Sequence, residues 1–337
     1  GRAMEIVHSE SQLKKYINEA VIVSGSSPVL IDSYLRDAIE VDIDRLSDGK
    51  DFYIAGILEH IEEAGVHSGD SACSMPPFSL SEEIIDELKT SVIKIAKAMN
   101  VKGLMNVQFA IKDDDIFILE VNPRASRTVP FVAKVSGNPI AKIATKIMTG
   151  VQLQNLNYED KKIEHIAVKE AVFPFKRFPG VDTILGPEMR STGEVMGIDR
   201  EFGIAFAKSQ IAGGTDVPCG GVVFVSVKDG DKEKIYKPVK ELENIGFSIL
   251  ATGGTCDFLN QKGIAAKKIN KVLQGSPHIV DEIESNNIAL VFNTTETPQA
   301  IKDSKSIRRS SLENSIPYYT TVSGAIAAVS GIKAIRN

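Results

Sequence analysis

Apolar residues recur at helical spacing between 82 and 99, where Ile84, Ile85, Leu88, Val92, Ile95 and Met99 share one face, and this predicts the clearest helix. Ser9 with Gln12 forms a capping-box pattern, and Leu13, Tyr16 and Ile17 extend it into a short helix over 10–20. Val29 to Leu35, Ala38 to Leu46 and Phe52 to Ile61 read as extended, with Asp48-Gly49 turning between the last two. A second hairpin, 103–112 with 116–121, turns around Asp113 to Asp115. Helices follow near 130–135 and 138–148, closed by Gly150. A polar connector over 151–165 leads to a strand near 167–173, a turn at Pro179-Gly180, a strand near 190–197 and a helix near 200–211. After the glycine-rich segment 212–221 the pattern becomes regular: strand 222–228, helix 232–244, strand 247–251, helix 255–262, strand 265–269, helix 277–286, strand 288–293. Such alternation predicts a parallel sheet covered by helices.

At 337 residues, 43% hydrophobic and 25% charged, the chain has globular composition and room for two domains or three packing units. A net charge of -5 without a basic run argues against a nucleic-acid partner. Cys73, Cys219 and Cys256 are distant and odd in number, which predicts free thiols and a cytoplasmic protein. No stretch of eighteen apolar residues occurs and the start lacks a signal-peptide pattern, so no membrane partner is expected. Gly1-Arg2-Ala3-Met4 runs straight into Glu5-Ile6-Val7, and the chain is expected to be a piece of a longer one.

The second hairpin carries the most informative chemistry. Asn106 and Gln108 on one strand, Glu120 and Asn122 on the other, alternate with Met105, Val107, Phe109, Leu119 and Val121. A three-residue loop, Asp113 to Asp115, would pair Gln108 with Glu120 and Asn106 with Asn122; a two-residue loop would pair Gln108 with Leu119. The first register is expected. It gathers a carboxylate and amide oxygens of the kind that Mg²⁺ on a nucleotide accepts, and Arg124 and Arg127 follow directly to grip phosphate or a carboxylate-like substrate. Glu40, Asp42 and Asp44 alternate with Ile39, Val41 and Ile43, which by itself reads as a charged outer face. In His60 to Asp70, two glycines would let the backbone approach a ligand.

Together Glu40-Val41-Asp42, HIEEAGVHSGDSACSMPP from His60, GLMNVQF from Gly103 and LEVNPRASRTVPFVAK from Leu119 resemble the ATP-grasp fold of the carbamoyl phosphate synthase large-subunit family. The likeness continues through FPGVD at Phe178, GPEMRSTGEVMG at Gly186 and SIRRSSLE at Ser306. It implies an α/β chain: a partial ATP-grasp part with an antiparallel sheet over 1–150, a connecting region over 151–212, and a Rossmann-like, methylglyoxal-synthase-like allosteric domain over 213–337. By this resemblance the chain is the end of the second ATP-grasp half, which phosphorylates carbamate, with its first two subdomains largely missing. Gln108, Glu120 and Asn122 would hold Mg²⁺ or Mn²⁺ on ATP, and Arg124 and Arg127 would face phosphates and carbamate. Leu35, Glu40, Gly65, Val66, His67 and Ser68 would contact the nucleotide, and Glu40, His60, Glu62, Val66 and Ser68 would surround K⁺. Ser33 stands where the family often has a histidine. Glu62, Asp70, Glu170, Tyr318 and Thr320 match positions that bind the activator ornithine, but Tyr319 replaces an aspartate and leaves the set incomplete. The implied partners are a glutaminase small subunit, bicarbonate or carbamate, and ammonia; a homo-oligomer is compatible with the resemblance.

In the C-terminal part, Ala251-Thr252-Gly253-Gly254-Thr255 lies between a strand and a helix, where backbone N–H groups and the helix end favour an anion. Asn293-Thr294-Thr295 ends a strand of the same sheet, and Lys232 and Lys271 add charge. The resemblance makes Lys232, Thr252, Thr255, Lys271, Asn293, Thr294 and Thr295 a pocket for UMP or IMP. Glu296-Thr297-Pro298-Gln299 replaces the catalytic segment of the stand-alone synthases, so binding is expected there, not catalysis. Two other readings fit part of the pattern: an isolated effector-binding module with an inert ATP site, and a biotin-dependent carboxylase, which would leave the matches at Gly186 and Ser306 unexplained.

Overall fold

The computed structural model describes residues 4–24, 28–158, 163–178 and 180–336. Gly1 to Ala3 of the opening segment, 159–162 of the expected connector and Pro179 of the expected turn lie outside the described residues. Helix α1 (Glu10–Ser24) comes first, with Gln12 N donating to Ser9 Oγ at its start. The strand expected at 29–35 is absent: 28–35 runs without regular structure, and Leu30, Ile31 and Tyr34 are exposed. Among the described residues no strand pairs with this segment.

A seven-stranded antiparallel sheet follows, built from β1 (Ile39–Ser47), β2 (Phe52–Glu63), β3 (Cys73–Met75), β4 (Gly103–Lys112), β5 (Asp115–Asn122), β6 (Ile166–Val172) and β7 (Gly193–Asp199) in the order β5-β4-β1-β2-β3-β6-β7. Asp48 Oδ1 accepts from the backbone N–H groups of Lys50 and Asp51, closing the first hairpin. Helix α2 (Glu82–Ala98), capped by Ser81, buries Ile84, Leu88 and Val92 against Val41, Ile43, Val107 and Phe109. The opposite face of the sheet receives α3 (Val129–Ser136) and α4 (Ile140–Met148), whose Val132, Ile140 and Ile143 pack with Leu46 and Tyr53. Alternation along β1 therefore sends its odd positions under α2 and its even positions the other way.

After α5 (Phe202–Ala212), the predicted alternation is realised as β8 (Val222–Ser226), α6 (Lys232–Asn244), β9 (Ser248–Thr252), α7 (Gly253–Gln261), β10 (Ala266–Ile269), α8 (Ile279–Glu284) and β11 (Leu290–Asn293). Three helices and one strand complete it: α9 (Pro298–Asp303), α10 (Lys305–Glu313), β12 (Tyr318–Tyr319) and α11 (Val322–Arg336). The five strands are all parallel, in the order β10-β9-β8-β11-β12. One apolar cluster joins the two sheets: Val168, Ala205 and Phe206 meet Val223, Phe292, Ala328 and Ile332. At the crossing of α5 and α11 a Cβ on Gly203 would stand 2.6 Å from Ser330 O, so only glycine permits the approach. No helix among the described residues is long and apolar enough to cross a membrane.

Candidate functional site

Gln108 pairs with Glu120 and Asn106 with Asn122, as expected, but through a different turn. Lys112 pairs with Asp115, leaving a two-residue loop in which Asp113 and Asp114 both have positive φ (50° and 68°). The register then shifts between Gln108 and Phe109, so that Leu119 is the extra residue of a bulge and the polar pairs realign. The three-residue loop is thus replaced by a tight turn plus a bulge, because two left-handed aspartates match the strand twist.

Strand β1 adds to the same face, with Asp42 opposite Gln108 and Asp44 opposite Asn106. The charged outer face expected for Glu40, Asp42 and Asp44 is overturned: they are 5%, 1% and 0% exposed. Asn106 Nδ2 donates to Asp42 Oδ1 at 3.1 Å and to Asp44 Oδ1 at 3.0 Å, and His60 Nε2 meets Asp42 Oδ2 at 2.9 Å. Burial pushes Asp42 up, but His60 and the amides of Asn106 and Gln108 outweigh it and hold the carboxyl below its usual value. For His60, burial works against the charged form, while Glu40 and Asp42 raise the ring above its ordinary value. Asp44 is pushed up to about 6 by burial, against the hydroxyl donors Thr128 and Ser126. Those two hydroxyls anchor the turn after β5 to β1, and with it Arg124 and Arg127, which are both exposed.

The expected nucleotide residues converge beside this face. The Tyr34 ring lies over Gly65, 3.7 Å from where a Cβ would stand, which brings the segment before Leu35 onto the loop. Gly65 has φ 108°, His67 N donates to Gly186 O at 2.8 Å, and Lys169 Nζ donates to Ser68 O at 2.9 Å. Burial and the charge of Arg127 hold His67 below its ordinary value against the pull of Asp70, so Arg127 and the loop share one electrostatic neighbourhood. Glu62 Oε2 accepts from Ser71 Oγ and Ala72 N, so a monovalent cation here would share its donors with the protein. Among the described residues no group of three or more His, Cys, Asp and Glu side chains is disposed to hold a metal ion.

Asp70 and Glu170, expected in the ornithine set, take different hydrogen-bond partners. Asp70 caps the 190–191 turn, accepting from Arg190 N and Ser191 N, whereas Glu170 joins a chain across the seam. Tyr319 Oη donates to Gln210 Oε1 at 3.1 Å, and Gln210 Nε2 donates to Glu170 Oε2 at 2.5 Å. Burial, then the Glu62 carboxylate, pushes Glu170 up to about 8.

The second cluster stands at the carboxyl ends of β8, β9 and β11. Ser226 and Thr252 share a 2.8 Å hydroxyl contact, Val227 N donates to Thr255 Oγ1, and Lys228 N donates to Thr294 Oγ1 at 3.1 Å. Asn293 Nδ2 donates to Ser226 O, while its Oδ1 is buried without a hydrogen-bond partner. Thr252 caps α7 without a side-chain bond, and Lys232 Nζ lies 3.3 Å from a Cβ placed on Gly254. Lys232 pairs with Asp229 at 2.7 Å; its hydrogen bond and charge, with Lys271 contributing, hold Asp229 below its usual value. A groove of about 380 Å³ lies elsewhere, lined by Lys267, Lys268, Asn270 and Pro277 among others, and includes none of the expected site residues.

Comparison with known proteins finds relatives for both parts of the chain. A family model described as carbamoyl-phosphate synthase L chain, ATP binding domain, matches residues 1–156, and one described as MGS-like domain matches 234–320. The carbamoyl phosphate synthase large chain of Rhizobium meliloti is 54% identical over all of this chain, which spans 31% of that relative. That of Methanobrevibacter smithii is 53% identical, again over the whole chain and 32% of its own length. Among solved structures, the biotin carboxylase domain of Hydrogenobacter thermophilus 2-oxoglutarate carboxylase, in complex with MgADP, ADP and bicarbonate, aligns with a TM-score of 0.51 at 18% identity. It covers 63% of this chain and 53% of that one, and at this identity the likeness is one of fold. Two matching family models and more than half identity over the chain as a whole leave one assignment: the chain belongs to the carbamoyl phosphate synthase large-chain family and spans about a third of these relatives' length.

Proposed function

We propose that residues 1–150 carry the metal- and nucleotide-holding face of a site that phosphorylates carbamate, that 151–212 connect it, and that 213–337 bind a nucleotide effector. The observation that carries this reading is the register: Glu120 and the amides of Gln108 and Asn122 share one face of β4 and β5. That donor set fits Mg²⁺ or Mn²⁺, hard ions that take carboxylate and amide oxygens. Bound there with ATP, the ion would neutralise charge on the phosphate oxygens. The chain's own part is to hold and orient. Glu120, Gln108 and Asn122 fix the nucleotide's phosphate end, Leu35, Glu40 and the Gly65 to Ser68 loop hold the rest, and Arg124 and Arg127 place the acceptor. The new bond joins a carbamate oxygen to the γ-phosphorus as the bond from that phosphorus to the β–γ bridging oxygen breaks. Potassium beside Glu40, His60, Glu62, Val66 and Ser68 belongs to the same reading, as do a cytoplasmic location and a glutaminase subunit supplying ammonia.

The chain alone is expected to be catalytically silent, because orientation worth up to about 7–11 kcal/mol depends on groups that close over the phosphates. Steady ATP turnover by the purified 337 residues would contradict this. In an enzyme of the relatives' full length, Glu120→Gln is expected to cut carbamoyl phosphate formation on the order of a hundredfold, and unchanged formation would remove Glu120 from the metal's ligands.

A further inference from the structure

At the seam between the two sheets, Asp37 lies two residues after Leu35 and three before Glu40, with φ 57°, a left-handed conformation that persists where neighbours hold it. Its Oδ2 accepts from Lys234 Nζ at 2.9 Å, and its buried Oδ1, without a hydrogen-bond partner, lies 3.7 Å from Lys228 Nζ. Arg36 beside it pairs with Glu296. Lys228 is the hinge of this arrangement. Its backbone N–H donates to Thr294 Oγ1, and its ammonium is divided between Asp37 and Asp231 Oδ2, which lies 3.8 Å away and is buried without a hydrogen-bond partner. Glu63, at the end of β2, faces the same group: burial raises its carboxyl while Lys228 and Lys234 pull it down and Asp37 and Asp231 push it up. On the far side, Ala64 N donates to Ala38 O at 3.0 Å, so the backbone after Asp37 also carries the loop at Gly65.

We propose that Asp37, shared between Lys228 and Lys234, is a positioning residue through which occupancy of the pocket at Thr252, Asn293 and Thr294 sets the nucleotide segment Leu35 to Glu40 and the loop after it. This rests on reading that pocket as a nucleoside monophosphate site. A phosphate placed there competes with Asp37 for Lys228, because two anions then face one cation whose backbone is already fixed to the pocket. Occupancy therefore releases Asp37 and loosens residues 37–40 and 64–67.

The test is hydrogen exchange on the whole chain with UMP as probe, beside calorimetry of UMP binding. In the unaltered chain UMP is expected to speed exchange of residues 38–40 and 64–67 about fivefold. Asp37→Asn should exchange fast there without UMP, show no further change with it, and bind UMP about fivefold more tightly, by reciprocity. Loosening by mere structural damage would not tighten binding. Asp37→Gly, which suits the left-handed φ of 57° and likewise removes the carboxylate, carries the same expectations, should Asp37→Asn fail to fold. Lys176→Met removes a contact to Ser315 that crosses the seam away from the pocket, and should behave as the unaltered chain does. UMP binding without an exchange response, or a response that survives in Asp37→Asn, overturns the proposal. Absence of UMP binding by calorimetry overturns the effector reading itself, and this proposal with it.

Discussion

Glu170 is buried beside a second carboxylate, Glu62, and its pKa near 8 makes the fold favour its protonated form. Because that value is raised above the ordinary carboxylate range, the stability it contributes is present at low pH and is lost as pH climbs from about 4.5 to about 8. Glu170→Gln keeps an acceptor for Gln210 Nε2 and removes the ionisation. Thermal melts should show the variant ahead by about 2–6 °C at pH 8, with the gap closing towards pH 5; a constant gap would mean the carboxyl titrates normally. The sequence shows some of these placements and hides others. Glu120, Gln108 and Asn122 were readable because polar residues alternate on both arms of one hairpin. Asp42 and Asp44 were not, since acids alternating with isoleucine and valine look the same on a solvated face. Their burial comes from Asn106, Ser126, Thr128 and His60, residues 18 to 84 positions away that no local pattern connects.

Hairpin β4–β5 carries the same lesson for elements. Polar pairing predicted the correct partners, while the turn that delivers them depends on backbone twist, which the side-chain pattern does not encode. With φ 68° at Asp114, Asp114→Gly should stabilise the chain by about 0.5–1 kcal/mol in denaturant unfolding, and a loss would place that residue outside the left-handed region. The helices after 298 escaped prediction for another reason. In α10 the buried positions include Arg308, Ser310 and Ser311, so its inward face reads as polar. Arg308 is satisfied there by two bonds to Asp182 and one to Ile301 O. By contrast, the alternation from β8 to β11 was legible because β8 and β11, buried on both faces, show as short apolar runs.

Both sheets are held through α5 and α11, and their closest approach depends on Gly203. Gly203→Ala should cost about 1–3 kcal/mol and widen the seam, which urea unfolding monitored for both parts would register; an unchanged midpoint would show that the helices give way freely. What the architecture accomplishes is to set a polar face on three antiparallel strands beside a loop tied, through Asp37 and Lys228, to a parallel-sheet pocket. The proposed function depends on that face receiving a divalent ion with its nucleotide. Paramagnetic broadening by Mn²⁺ in the presence of ATP tests this directly, because it detects even weak occupancy by distance from the ion. The side-chain amide signals of Gln108 and Asn122 should broaden first, and Glu120→Gln should abolish the effect. Broadening that spares both amides, or that persists unchanged in Glu120→Gln, would contradict the account.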